Sequence, residues 1–110
     1  MITLNILIID DHKLMVEAYY NVLQNFVNYN LNIIKAYNCE QAFKILLDIK
    51  YSSHLDFVLL DLCLPEYPQQ GIYTGTDLAL LIKKCAPACK IIILTSHSET
   101  IILYKIIKEI

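Results

Sequence analysis

Ile6-Leu7-Ile8-Ile9-Asp10-Asp11 sets four consecutive apolar residues in front of two acids. Phe57-Val58-Leu59-Leu60-Asp61 repeats the pattern with one acid, and Ile91-Ile92-Ile93-Leu94-Thr95-Ser96 repeats it with two hydroxyls. A strand with one wet face alternates apolar and polar residues. An unbroken apolar run is covered on both faces, as strands of parallel sheets are. Residues 4–9, 57–60 and 90–94 are therefore predicted as buried strands. Residues 31–37 form a fourth, and Asn32 and Lys35 within it suit a sheet edge. Between the strands run segments of helical period. Their apolar stripes are Met15, Ala18, Tyr19, Val22, Leu23 and Phe26; then Ala42, Ile45, Leu46 and Ile49; then Leu78, Leu81, Ile82 and Cys85; and finally Ile102, Leu103, Ile106, Ile107 and Ile110. One stripe per helix lets each helix cover one side of a sheet. Strand–helix alternation of this kind predicts an open α/β sheet with right-handed crossovers and helices on both faces.

The 110 residues make one domain, and 56% apolar content supports a core without disulfides or structural metal. A net charge of −2 and the absence of a Lys/Arg run argue against a nucleic-acid or membrane surface on this domain. No apolar run reaches the ~20 residues that cross a bilayer, and Met1-Ile2-Thr3-Leu4, with neither a basic n-region nor a long apolar h-region, is not expected to begin a secretory signal. Cys39, Cys63, Cys85 and Cys89 form no CxxC pair and complete no zinc spacing with His54 or His97. They read as free thiols in a reducing, cytoplasmic setting.

Polar residues collect where each buried strand ends: Asp10-Asp11, Asp61, and Thr95-Ser96. Open α/β sheets bind ligands beyond these carboxyl ends. If the first and third strands are neighbours, three carboxylates share one crevice. Two carboxylates ~5 Å apart repel by about 3 kcal/mol at an effective dielectric near 20. A hard divalent cation offsets that, and Mg²⁺ tolerates one or two carboxylates plus phosphate oxygens. The bland alternative is that Asp10 or Asp11 only caps the first helix. Capping does not account for Asp61, which no helix immediately follows. His12 reads as a helix-start residue beside the site rather than a ligand or base. His54 and His97 read as solvent-facing.

Ile8-Ile9-Asp10-Asp11-His12, Leu59-Leu60-Asp61-Leu62-Cys63-Leu64-Pro65 and Ile92-Ile93-Leu94-Thr95-Ser96 resemble the three signature blocks of response-regulator receiver domains, in the family's order and at about its spacing. The acidic pair followed by His is similar to the NarL-like subfamily. The resemblance covers residues 1–110 and implies a flavodoxin-like fold of strand order 2-1-3-4-5. It makes Asp61 the phosphoacceptor in a Mg²⁺-dependent reaction. Asp11, Asp61 and the backbone carbonyl of Cys63 become direct Mg²⁺ ligands, and Asp10 acts largely through water. Thr95 becomes the residue that hydrogen-bonds the phosphoryl group and reports it. The donor is a histidine kinase or phosphotransfer protein. The domain is then a switch rather than a metabolic enzyme, with a transcriptional, DNA-binding output expected outside the chain.

Two departures accompany the resemblance. The Gly expected soon after Pro65 is met only at Gly71 or Gly75, so the 65–75 loop is long. Ile110 falls within the last stripe without a stop signal, so the chain reads as truncated before a fifth strand, its Lys, and a fifth helix. That predicts a bare sheet edge and self-association, as a homodimer or domain swap. The sequence bears on three other functions. A pseudo-receiver interaction module stays open without the Lys. A phosphatase with an aspartyl nucleophile, of the haloacid dehalogenase type, would carry DxD on the first strand. A flavodoxin-like nucleotide binder would need a Gly/Ser/Thr loop where Asp10-Asp11-His12-Lys13 stands.

Overall fold

The computed structural model describes residues 2–61 and 75–94. The chain runs β1 (Ile2–Ile9), α1 (Lys13–Leu23), β2 (Tyr29–Ala36), α2 (Cys39–Leu47), α3 (Ile49–Ser52), β3 (Phe57–Asp61), α4 (Gly75–Cys85) and β4 (Lys90–Leu94). The strands form one parallel sheet in the order β2-β1-β3-β4. This is the order and fold class the sequence implied over these strands, with Asn32 and Lys35 on the outer strand β2.

The unbroken apolar runs behave as expected in the middle of the sheet. Leu7, Ile8, Ile9, Val58 and Leu60 are fully buried, and Ile6 and Leu59 nearly so. Their side chains alternate between two cores. Leu7, Ile9, Val58 and Leu60 meet Ala42 and Leu46 of α2 and Leu78, Ala79 and Ile82 of α4. Ile6, Ile8 and Leu59 turn the other way, toward Val16 of α1, with Tyr19 and Leu23 packed alongside. Burying one such side chain stabilises the fold by about 1.5–3 kcal/mol, so the two central strands dominate the core. β4 is less covered: Ile92 is 47% exposed. It pairs with Leu59 on the α1 face of the sheet, and β4 lies farthest from β2 in the order. The expectation that β4 is buried on both faces does not hold: Ile92 is exposed, and Ile91, Ile93 and Leu94 are only half-buried.

Two helical expectations need correction. In α1 the inner face is Val16 with the half-buried Tyr19, Tyr20 and Leu23, whereas Met15, Ala18 and Val22, and Phe26 just beyond the helix, are exposed. Both sets have helical spacing, and tyrosine rings form half of the inner one. The stripe from Ala42 to Ile49 is also not one helix. Asp48 is extended (φ −84°, ψ 108°), ending α2 and starting α3, and its carboxylate accepts from the Lys50 backbone N–H at 3.0 Å. Ile49 consequently lies outside and is 76% exposed. The stripe from Ile102 to Ile110 and the loop through residue 74 lie outside the described residues.

Candidate functional site

Register places the site. β1 and β3 are paired through Ile8 with Leu59 and Ile9 with Leu60. One step further along the same parallel register stand Asp10 and Asp61. Side chains alternate along strands, so both carboxylates turn to the face of Ile8 and Leu59, the α1 face. They are buried, at 4% and 7% exposure. The Asp10 N–H still donates to the Ala36 carbonyl at 3.1 Å, extending the sheet by one residue before the chain turns.

Asp10 also makes that turn. Its Oδ1 accepts from the backbone N–H of His12 at 2.9 Å, the local side-chain to backbone bond that Asp favours before a helix. His12, at φ −90° and ψ 99°, is the N-cap of α1, and its carbonyl accepts the first helical bond from Val16 at 3.1 Å. Neither acid is therefore the cap itself. Asp10 holds the cap residue in place, and Asp11 sits between them, facing solvent.

The turn returns the His12 ring over the acids. His12 Nδ1 lies 3.1 Å from Asp10 Oδ1, 3.2 Å from Asp11 Oδ1 and 3.9 Å from Asp61 Oδ2. The His12 pKa is raised, first by its hydrogen bond to Asp10 and then by the charge of Asp11, with Asp10 and Asp61 adding smaller pulls. Tyr19 reaches the same region from α1. Partial burial raises its phenol, and the charges of Asp10 and Asp61 push it further. Sequence reading placed His12 at the helix start but missed its convergence with all three acids. The signal was its position directly after the acidic pair.

One donor atom from each of Asp10, Asp11, His12 and Asp61 lies within 4.8 Å of the others. Two carboxylates at such a spacing repel by about 3 kcal/mol at an effective dielectric near 20. The inner pair is buried, while the Asp11 side chain is 32% exposed and that of His12 66%, so the cluster opens on one side. Clustered carboxylate oxygens with an open side fit a hard divalent cation such as Mg²⁺, which keeps waters or takes up phosphate oxygens there. Thr95 and the Cys63 carbonyl, expected to complete the site, lie outside the described residues. Among those residues no helix is long and apolar enough to cross a membrane.

The sequence matches the response regulator receiver domain over residues 6–109, and the chain belongs to that family. The family is one of phosphoacceptor switches. The fold is shared with response regulator TrrA from Thermotoga maritima, solved in complex with Mg(2+)-BeF, at 33% identity and a TM-score of 0.64, over 86% of this chain and 71% of that one. A response regulator from Burkholderia pseudomallei, solved with a phosphorylated aspartic acid, calcium ion and citrate, superposes at a TM-score of 0.70 with 20% identity over 96% of this chain. This chain spans 55% of that one. A LuxR-family two-component response regulator from Aurantimonas sp. SI85-9A1 gives 0.73 at 24% identity, over 96% of this chain and 68% of that one. No curated protein sequence matches the chain.

Proposed function

We propose that Asp61 accepts a phosphoryl group in a Mg²⁺-dependent reaction and that the chain switches an output in response. The observation that carries this reading is the convergence of Asp10, Asp11 and Asp61 at the carboxyl ends of two adjacent strands. An oxygen of the Asp61 carboxylate attacks phosphorus, an acyl phosphate forms, and the bond from phosphorus to the donor breaks. A carboxylate is a weak nucleophile, and phosphoryl transfer depends mainly on positioning and charge neutralisation. Held by Asp10, Asp11 and Asp61, Mg²⁺ would supply that neutralisation against the phosphoryl oxygens. Burial at the end of β3 fixes the Asp61 carboxylate, and the exposed side, at Asp11 and His12, leaves room for the donor. The Cys63 carbonyl as a further ligand and Thr95 as the phosphoryl hydrogen-bond donor complete the proposal.

Acetyl phosphate labelling tests it. The chain should take up one phosphoryl group with Mg²⁺ and none with excess chelator, and Asp61→Asn should abolish labelling. Labelling that survives Asp61→Asn would place the acceptor elsewhere. No labelling, and no Mg²⁺-dependent binding of beryllofluoride, would leave a pseudo-receiver that acts only by contact.

The finer assignments belong to the same reading. Residues 1–110 are taken as one receiver domain, and Asp10-Asp11-His12 supports its NarL-like placement. The donor is a histidine kinase or phosphotransfer protein, the setting cytoplasmic, and the output transcriptional through a DNA-binding domain. Self-association is also part of the proposal: Ile92 on β4 and the exposed Val22, Val27 and Ile49 offer apolar contact area. Sedimentation at high concentration should find dimers, and a clean monomer would rule self-association out.

A further inference from the structure

We propose that His12 Nδ1 is itself a ligand of the divalent cation, making this receiver site a mixed nitrogen–oxygen site that favours later first-row metals over Mg²⁺. The proposal rests on the reading of the Asp61 cluster as the cation site, and it concerns a residue to which that reading gives no role.

Neighbouring ligands of a six-coordinate ion with bonds of about 2.1 Å lie about 3.0 Å apart, and opposite ligands about 4.2 Å. His12 Nδ1 stands 3.1 Å from Asp10 Oδ1 and 3.2 Å from Asp11 Oδ1, close to the neighbouring spacing. Its 3.9 Å from Asp61 Oδ2 falls between the two values, nearer the opposite one. The ring therefore occupies a corner of the donor set rather than a position behind it. Asp10 holds it there, because the same Oδ1 that faces the ring also accepts the His12 backbone N–H at 2.9 Å. For Nδ1 to present a lone pair, the cation has to displace the Nδ1 proton that bonds Asp10, which leaves the ring hydrogen on Nε2 and the ring where it stands. The His12 side chain is 66% exposed, so the ring is open to water.

The consequence is selectivity. Carboxylates and waters alone suit Mg²⁺, Ca²⁺ and Mn²⁺, whereas imidazole nitrogen adds most to metals later in the row. A site holding one imidazole should gain Co²⁺ affinity from it and little Mg²⁺ affinity.

Pulsed electron paramagnetic resonance of the Mn²⁺-loaded full chain tests ligation directly. The expected spectrum shows the coupling of a directly bound ¹⁴N, present in the wild type and lost in His12→Ala with Mn²⁺ still bound. Bound Mn²⁺ without nitrogen coupling, or coupling that persists in His12→Ala, overturns the proposal and leaves the acidic cation site standing. Calorimetry should find Co²⁺ affinity reduced about tenfold or more in His12→Ala, with Mg²⁺ affinity nearly unchanged. Equal losses for both ions overturn the selectivity. Asp61→Asn separates the two layers: it should weaken Mn²⁺ binding sharply. Undiminished Mn²⁺ binding in that variant means the ion sits elsewhere, which overturns the site reading along with the ligand.

Discussion

His12 shows how one residue depends on its neighbours. Its pKa is raised by Asp10 and Asp11, so the native fold holds its proton more tightly than the unfolded chain does. The stability this contributes is complete below the ordinary imidazole pKa and is lost as pH rises through the folded value. In the metal-free chain, an NMR titration should place the His12 pKa above 6.5. Saturating Mg²⁺ should lower it, because the cation competes with the proton for the same carboxylates. A metal-free value at or below 6.5 would mean that the ring turns away from the acids. The three acids were legible in the sequence because they stand at the ends of unbroken apolar runs that read as buried strands. The role of His12 was not, because a His after an acidic pair reads as a helix start, and only the turn made by Asp10 shows that the residue capping α1 also faces the acids. Thr95 and Cys63 remain assignments by resemblance.

Among the elements, the strands were more legible than the helices. Ile6 to Ile9 and Phe57 to Leu60 have no polar residue to mislead, and register then forces Asp10 beside Asp61. In α1, Met15, Ala18 and Val22 compete with Val16, Tyr19 and Leu23 at equivalent spacing. Tertiary packing chose the second set. The start of α2 is better determined. The Asn38 side chain accepts from the Gln41 N–H at 2.8 Å, while Gln41 Oε1 accepts from the Tyr37 N–H at 2.8 Å. This reciprocal pair resembles a capping box and fixes the chain leaving β2. Asn38→Ala should cost about 1 kcal/mol in urea unfolding. Because α2 packs on the face away from the acids, Mg²⁺ affinity should be unaffected. A matched loss of affinity would show that the cap also positions the cluster.

For the whole molecule, the acidic cluster sets function against stability. Its carboxylates are placed by the same two strands that carry the centre of the core, so their repulsion is borne by the fold itself. His12 offsets part of it when protonated. Converting Asp61 to Asn keeps the shape of the side chain and removes one charge from the buried pair. In the presence of a chelator, Asp61→Asn should therefore be more stable than the wild type, by about 1 kcal/mol or roughly 4 °C in Tm for a domain of this size. Adding Mg²⁺ should reverse the order. An ion that binds only the folded wild type stabilises it by about 2.7 kcal/mol at one hundred times its Kd, and the variant should gain little at the same concentration. Thermal melts of both chains with and without Mg²⁺ measure all four quantities. A variant less stable than the wild type in chelator would mean that Asp61 holds the fold together. Its burial would then be structural rather than a cost carried for phosphoryl transfer, and the case for Asp61 as the acceptor would lose its physical footing.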